Sequence, residues 1–257
     1  FQNAYAFNQP LSFNNTSQVT DMCAMFQNAR AFNQPLTFNT SQVTTMEGMF
    51  NKATVFNQPL TSFNTSQVTT MAYMFQNAYA FNQPLTFDTS QVTNMRGMFG
   101  HARAFDQSLA FDTSQVTTMH AMFQNAYAFN QPLTFNTSQV TTMRGMFHHA
   151  RAFNQPLSFN NTSQVTNMYA MFLGATAFNQ PLTFDTSQVT DMFGMFYNAT
   201  AFNQPLTFDT SQVTNMRAMF RNAWSFKQPL TFNNTSQVTD MTGMFQNAYA
   251  FNQPLTF

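Results

Sequence analysis

A short period constrains this chain more than any other feature. The run FNQPLTFNTSQVTTM that begins at Phe32 returns at Phe129, and close copies of it fill the remaining sequence. The phenylalanine that opens each copy recurs every 24 or 25 residues, which gives ten full units and a partial unit at each end. Periods of this length are typical of architectures that stack one supersecondary unit on the next. Full units open at Phe7, Phe32, Phe56, Phe81, Phe105, Phe129, Phe153, Phe178, Phe202 and Phe226.

This regularity predicts a single elongated repeat domain over residues 1–257. No linker, shift of composition or run of like charge interrupts the series. In a stacked array each unit contacts only its neighbours, so no internal domain boundary is needed. Because the first and last residues both fall inside a unit, we expect the segment to be a slice of a longer array.

The first half of each unit has the pattern of a short strand. In the unit 32–55, FNQPLTFNTSQVTTMEGMFNKATV, Leu36 and Phe38 alternate around Thr37, as in a half-buried strand. Pro35 has no N–H to donate and therefore marks the start of the hydrogen-bonded part. We expect PLTF to lie in a parallel sheet with its equivalents in neighbouring units.

The second half of the unit permits two interpretations. The segment VTTM is short and rich in β-branched residues, which favours a strand or a bend. Asn39 followed three residues later by Gln42 resembles a helix capping box. A helical face is also indicated by the spacing of Val43, Met46, Met49, Phe50 and Ala53. We therefore predict a short strand or bend at QVTTM, followed by one or two helical turns at GMFNKA.

One unit alone cannot be stable. About seven buried apolar side chains contribute about 10–20 kcal/mol. Ordering the backbone costs roughly 1–2 kcal/mol for each residue, which exceeds this gain over a whole unit. Stacked units add inter-coil hydrogen bonds and cover both faces of every layer. The sequence thus predicts a solenoid. We call the residues at one equivalent position of successive units a column, and we expect the phenylalanine and methionine columns to point inward, with each side chain stacked on its equivalent in the next coil.

The run FNQPLTFDTSQVTNMRGMF at residues 81–99 resembles the repeat of BspA-like leucine-rich surface proteins, and all ten units match that repeat. Phenylalanine replaces leucine at most strand positions here. The resemblance implies a leucine-rich-repeat-like solenoid of about ten coils, with short parallel β-strands and a short helical turn in each 24–25-residue coil. It also implies a secreted or cell-surface location and an adhesive or structural role.

Composition excludes several classes of partner. Charged residues make up 7% of the chain and the net charge is zero, which argues against nucleic acid as a partner. No apolar run approaches the roughly 20 residues of a membrane span. Cys23 is the single cysteine, so no internal disulfide framework exists.

The sequence contains no pattern of catalytic or metal-binding residues, and we expect no enzyme activity and no cofactor. The acidic residues Asp88 and Asp112 share a column with asparagines, which is typical of a turn position and not of a general base. His101 and His149 share a column two coils apart, roughly 10 Å, which is too far to hold one zinc ion. His148 and His149 are adjacent, and we expect their side chains to point in different directions.

Two columns vary between units and are expected to face solvent. One follows the first methionine of each unit and contains Arg96, His120 and Arg144. The other follows the invariant alanine and is rich in Arg, Tyr and Trp, which are over-represented at binding hot spots. This column is either a binding stripe or a solvent-exposed face that varies without a binding role and whose aromatic residues cover the edge of the core. The candidate stripe consists of Arg30, Tyr79, Arg103, Tyr127, Arg151, Trp224 and Tyr249.

These features predict a non-enzymatic extracellular protein with a structural or adhesive role, which forms a rod or part of a filament or surface layer. Self-association, end to end or side by side, is the expected interaction. The alternative is a module that recognises a host protein or glycan through the stripe. Ice binding by the threonine column that contains Thr44 and Thr69 is a third hypothesis, which Asp21 and Asp191 in the neighbouring column disfavour.

Overall fold

The computed structural model describes residues 1–13 and 15–256 and shows a stack of similar coils, each packed on the next. We call a coil the stretch between two successive opening phenylalanines. The prediction of a repeat architecture is confirmed by the inter-coil backbone hydrogen bonds, which join residues 23 to 26 positions apart along the whole described chain. Regular strands are short: β1 is Leu230–Thr231 and β2 is Leu255–Thr256, and they pair in parallel with Leu230 opposite Leu255.

A column of single parallel β-bridges runs through the coils at the residue before the first methionine. Each member bridges its equivalent in the coil before and in the coil after, so the column forms a ladder with one rung per coil. This agrees with the predicted strand or bend at QVTTM. The column contains Asp21, Thr45, Thr70, Asn94, Thr118, Thr142, Asn167, Asp191, Asn215 and Asp240.

The predicted helical turn at GMFNKA is wrong, and no helix occurs in residues 1–13 and 15–256. A run of tight turns takes its place, in which N–H groups alternate between two kinds of acceptor. The Met49 N–H donates to the carbonyl of Met46 at 3.1 Å, within the coil. The next N–H, on Phe50, donates instead to the carbonyl of Met74 in the following coil, at 2.9 Å.

Left-handed backbone residues explain why no helix forms. Gly48 and Lys52 have φ angles of 58° and 60°, and every later described coil has two residues of this kind, four positions apart. An α-helix needs negative φ throughout and N–H groups that point along its own axis. A left-handed residue at every fourth position breaks that geometry and turns alternate N–H groups toward the next coil.

The expected capping box is also absent. The Asn39 side chain accepts the N–H of Ser41, two residues on, at 3.0 Å. This is an Asx turn, which forms the corner of the coil and starts no helix. The Asp residues of the same column do the same: the Asp88 carboxylate accepts the N–H of Ser90 at 3.0 Å.

The expected parallel sheet at PLTF forms only in places. Bridges join Leu133 to Leu157 and Leu206 to Leu230, and β1 and β2 extend this pairing. Elsewhere in the described residues this segment has no backbone ladder. Proline contributes no N–H, and side chains supply most of the inter-coil hydrogen bonds in this half of the coil.

An asparagine ladder provides those hydrogen bonds. The Asn33 side-chain oxygen accepts the N–H of Asn57 at 2.9 Å and the side-chain amide of Gln58 at 3.2 Å, both from the following coil. The same pair of contacts recurs in nearly every coil, with Asp106 substituting for asparagine once. Buried threonines add a second ladder, in which the Thr40 hydroxyl donates to the carbonyl of Asn64 at 2.8 Å.

The interior consists of the predicted apolar columns, and this prediction is confirmed. Phe32, Phe50 and both methionines of that coil are fully buried, and Phe38 is 5% exposed. Rings of one column stack between coils, with 5.7 Å between the centroids of Phe50 and Phe75. Rings of two columns also stack within a layer, as Phe75 does on Phe81 at 4.0 Å. The aromatic core is continuous from the first coils to the last.

Candidate binding face

Sequence variation is concentrated on one side of the solenoid. Four positions of each coil form this side, and they correspond to Glu47, Asn51, Lys52 and Thr54. We call them together the variable face. These positions lie in the half of the coil where backbone N–H groups bond to the next coil. Gly48, for example, donates to the carbonyl of Ala72 at 2.8 Å and needs no side chain to do so. Side chains on this face can therefore change without loss of the backbone bonds between coils, although some of them add inter-coil bonds of their own, as between Asn222 and Asn198.

Part of the predicted stripe forms one continuous stack on the variable face. The Arg103 guanidinium lies between two tyrosines, 4.4 Å from the ring centroid of Tyr79 and 5.7 Å from that of Tyr127. Arg151 lies over the other side of Tyr127, at 4.7 Å. Tyr79, Arg103, Tyr127 and Arg151 thus alternate along the solenoid axis, held by cation–π contacts.

The other three stripe residues are not part of that stack. Arg30 lies over Tyr5, at 5.1 Å from the ring centroid. Trp224 and Tyr249 are 54% and 78% exposed. Short threonines separate them from the stack and leave shallow grooves, one lined by Arg30, Thr54 and Tyr79, and one by Arg151, Thr176, Thr200 and Trp224.

A second row of cation–π pairs runs beside the stripe, and the sequence analysis did not single it out. Arg96 lies over Tyr73 at 5.5 Å, and Arg144 lies over Tyr169 at 4.4 Å. Tyr169 also stacks on Phe193, with 4.7 Å between the centroids. These arginines were visible in the column that follows the first methionine. Their tyrosine partners are one coil away, so local spacing did not reveal the pairs.

Charge is divided between the faces although the net charge is zero. The only acidic residue on the variable face is Glu47, whereas Asp88, Asp112, Asp185 and Asp209 line the opposite corner at the Asx turns. The ninth basic residue, Lys227, occupies the asparagine ladder. The variable face carries eight of the nine basic residues: Arg30, Lys52, Arg96, Arg103, Arg144, Arg151, Arg217 and Arg221.

All four histidines also lie on the variable face. The expectation that His148 and His149 point apart is wrong, because their rings stack at 4.5 Å. Position 149 has a left-handed backbone, which swings its side chain back alongside its neighbour's. Burial, then the charges of His149 and His101, lower the pKa of His148 to about 4. Burial and then the nearby Arg103 lower the pKa of His101.

The described residues hold no group of three or more His, Cys, Asp or Glu side chains that could bind a metal ion. The paired contacts of the histidines are to amides: His148 Nδ1 lies 3.1 Å from the Gln124 side-chain nitrogen, and His101 Nε2 lies 3.3 Å from that of Asn125. A membrane-spanning helix is likewise not found in the part of the chain that the structure describes.

The threonine column on the neighbouring face is a regular hydrogen-bonded ladder. The N–H and the hydroxyl of Thr44 both donate to the carbonyl of Thr20, at 2.8 Å and 3.2 Å. Its hydroxyls are thus engaged with the backbone of the preceding coil. The bordering column contains Asp21, Asp191 and Asp240, each of which accepts a backbone N–H two residues on.

A family model matches the chain over its whole length, in three consecutive segments: residues 1–111, 110–183 and 182–257. The family is described as "Mycoplasma protein of unknown function, DUF285". The chain belongs to the DUF285 family. No curated protein matches this DUF285 chain.

Among solved structures, the DUF285 chain is similar to a leucine rich cell surface protein from Faecalibacterium prausnitzii A2-165. The two are 13% identical, with a TM-score of 0.49, and the match covers 90% of this chain and 67% of that one. The repeat character of the chain rests on its own coils and on the family match.

Proposed function

We propose that this DUF285 chain is a non-enzymatic structural or adhesive protein of the cell surface or of a secreted layer. The observation that carries the proposal is that different residues of each coil stabilise the stack and face the solvent. Residues that are the same in nearly every coil hold the coils together: the Asn, Thr and Asx-turn side chains make ladders and corners, and the Phe and Met columns fill the core. The differences between coils are greatest on the variable face. Such a design favours a rigid body that displays a surface.

The state of the acidic residues supports a role without catalysis. In the Asx turns, hydrogen bonds from the backbone and side chain of Ser90 lower the pKa of Asp88, and those of Ser187 lower the pKa of Asp185. A carboxylate held in its ionised form by a turn is a weak proton acceptor, whereas a general base needs a pKa near the working pH. These aspartates therefore serve as structural hydrogen-bond acceptors.

The proposed surface location rests on the resemblance to BspA-like proteins and on the variable face itself. Exposed Arg, Tyr and Trp side chains are typical of contact surfaces. Labelling of intact cells with a membrane-impermeant amine or thiol reagent would test the location, with Cys23 as an exposed reporter. We expect labelling without lysis; labelling only after lysis would contradict a surface role.

Self-association into a filament or layer is part of the proposal. Every coil repeats the same threonine and Asx-turn surfaces, so neighbouring molecules could pack side by side with regular contacts. Sedimentation of the purified chain over a range of concentrations tests this. We expect association that increases with concentration, and a monomer at the highest concentration would remove the assembly role while leaving the rod intact.

A second candidate function is recognition of a protein or glycan through the stripe. The stack of Tyr79, Arg103, Tyr127 and Arg151 favours it, because the cation–π contacts restrain side chains that would otherwise lose entropy on binding. A glycan array probed with the wild-type chain and with a Trp224→Ala, Tyr249→Ala double variant tests the exposed aromatic end of the stripe. Binding that needs neither residue would exclude that end.

A further inference from the structure

Three successive coils in the middle of the chain carry a dense group of basic side chains. We call this group the central basic patch. It lies on the variable face between residues 96 and 151 and holds two rows of paired arginines with all the histidines of the chain. Its members are Arg96, Arg103, Arg144, Arg151, His101, His120, His148 and His149.

No acidic residue shares this part of the variable face. The three acids of the same coils lie in the first half of the coil: Asp88 and Asp112 at Asx turns, and Asp106 in the asparagine ladder. The bordering bridge column is neutral here, with Asn94, Thr118 and Thr142. The potential over the patch is therefore positive despite the zero net charge of the chain.

The four arginines are held in place, but their guanidinium N–H groups have no partner among the residues that the structure describes. Each guanidinium lies within 4.4–5.5 Å of a tyrosine ring centroid. None of the four makes a side-chain hydrogen bond or an ion pair with any residue the structure describes. All four are exposed. A restrained guanidinium with free donors is suited to bind a carboxylate with two parallel hydrogen bonds.

Spacing within the patch indicates a ligand with regularly repeated charges. Arg96 and Arg144 are two coils apart in one row, and Arg103 and Arg151 are two coils apart in the other, which corresponds to about 10 Å in each case. Beside the row of Arg96 and Arg144 lies an open cleft of about 240 Å³, lined by His120, Gln124, Arg144, His148 and Tyr169 among others. A cleft of this size admits one sugar unit and not a whole compact ligand.

We propose that the central basic patch binds a linear acidic polysaccharide whose carboxylates repeat along the chain. The arginines of each row would bind carboxylates about 10 Å apart along the polymer, which are alternate carboxylates where every sugar carries one. The cleft with its amide and imidazole groups would accept sugar hydroxyls. The proposal rests on the second candidate function and deepens it by naming the ligand class and by moving its centre from the exposed aromatics to the patch.

The tyrosines favour a polysaccharide over nucleic acid. Binding of single-stranded nucleic acid relies on bases that stack on free aromatic faces. Here Tyr127 has an arginine on each side, and the face of Tyr79 that lies toward the patch is covered by Arg103. Recognition is therefore left to the outward N–H edges of the arginines.

Binding of the whole chain to polygalacturonate, measured by biolayer interferometry, tests the proposal. We expect binding that weakens steeply between roughly 50 and 200 mM salt, as for any polyanion bound by several cations. Methyl-esterified polygalacturonate has the same backbone without the charges and should not bind. The double variant Arg96→Gln, Arg144→Gln should lose at least about tenfold in affinity, which is the loss of one good charged contact.

The matched control is the double variant Arg30→Gln, Arg217→Gln. It removes the same number of charges outside the patch, with one arginine from each of the two columns that the patch arginines occupy, and we expect less than a twofold loss. Equal losses in both double variants would show a response to net charge only and overturn the proposal. Equal or tighter binding of duplex DNA at the same salt would also overturn it, as would binding of the esterified polymer.

Two further outcomes separate this proposal from those above it. If polygalacturonate does not bind while a neutral glycan binds and requires Trp224, the stripe is the site and the patch is not. If the patch variants instead abolish self-association, its partner is a second copy of the chain and the polysaccharide proposal fails. A circular-dichroism melt of each variant checks that the fold is unchanged, which is expected because these side chains make no inter-coil hydrogen bond to a described residue.

Discussion

The two halves of each coil bind to the neighbouring coil through different kinds of hydrogen bond. In the half that begins FNQPL, side chains supply most of the inter-coil hydrogen bonds, as when Asn33 accepts the N–H of Asn57. In the half that begins at the first methionine, the backbone supplies them, as when Phe50 donates to Met74. The first half is therefore nearly invariant between coils, and the second half is free to vary. Where the backbone makes the structural bonds, side chains become available for function.

The largest effect should come from the core, which both halves share. Phe135 lies in the first half of its coil and Phe147 in the second, and they are 1% and 0% exposed. Because either truncation leaves a cavity in a packed interior, each change to alanine should cost about 3–5 kcal/mol of unfolding free energy. Urea denaturation measures this, with the exposed Trp224→Ala as control. A cost below about 1 kcal/mol at Phe135 would contradict a core common to both halves.

A substitution in the asparagine ladder tests whether side chains stabilise the stack more in the first half of the coil than in the second. In Asn154→Ala, the N–H of Asn179 loses its acceptor, and the side-chain amide of Gln180 keeps only the backbone carbonyl of residue 154. We expect a cost of about 1–3 kcal/mol, since a part-buried N–H is left unpaired. Arg217→Ala on the variable face should change stability by less than about 0.5 kcal/mol. Similar costs for the two variants would break the proposed distinction between the halves.

Two glycines of one column show how far a neighbouring side chain limits substitution in the second half of the coil. Gly97 and Gly145 have φ angles of 57° and 58°, so alanine meets the same backbone strain at both. An added Cβ at Gly97 would lie 2.7 Å from a ring carbon of Tyr73, whereas at Gly145 the nearest atom is 3.7 Å away. We expect Gly97→Ala to cost about 1–2 kcal/mol more than Gly145→Ala.

A second variant decides whether that difference is steric. Tyr73→Ala removes the ring, so Gly97→Ala made in that background should cost no more than Gly145→Ala, as measured by thermal unfolding. A difference that persists without the ring would mean that the two positions differ in backbone strain, against the regular geometry of the coils.

The smallest effect should be a loss of stability in acid. The pKa of His148 is about 4 in the folded chain against 6.5 ordinarily, so the unfolded chain takes up a proton first. Stability is therefore complete above pH 6.5 and falls as the pH drops toward 4. Partial exposure reduces the effect to roughly 1 kcal/mol. Melting temperatures across this range should show a weaker pH dependence in His148→Gln, and an unchanged slope would contradict the assignment.

Several features could be predicted from the sequence because their causes are local. The inward direction of Phe32, Phe50 and their equivalents follows from apolar identity repeated at a fixed period. The Asx turn at Asn39 follows from a side chain that bonds its own backbone two residues on, which is why Asp serves equally in that column. The variable columns were visible by comparison between units of the one chain.

Other features were decided by contacts between coils. The apolar spacing of Met46, Met49 and Phe50 fits a helix, but a carbonyl of the next coil takes the N–H that a helix would use internally. The left-handed position that prevents the helix accepts Lys52, His101 and several asparagines, so residue type alone did not mark it.

The distribution of charge over the faces of the solenoid could likewise not be predicted from the composition. A net charge of zero argued against a polyanionic partner, yet stacking places eight basic residues on one face and the aspartates on others. The pairs of Arg144 with Tyr169 and Arg103 with Tyr127 join residues 24 or 25 positions apart. Sequence alone determined what a coil contains and which way its apolar side chains face. The tertiary structure decided which acceptor each N–H reaches and which charges meet, because both depend on the neighbouring coil in space.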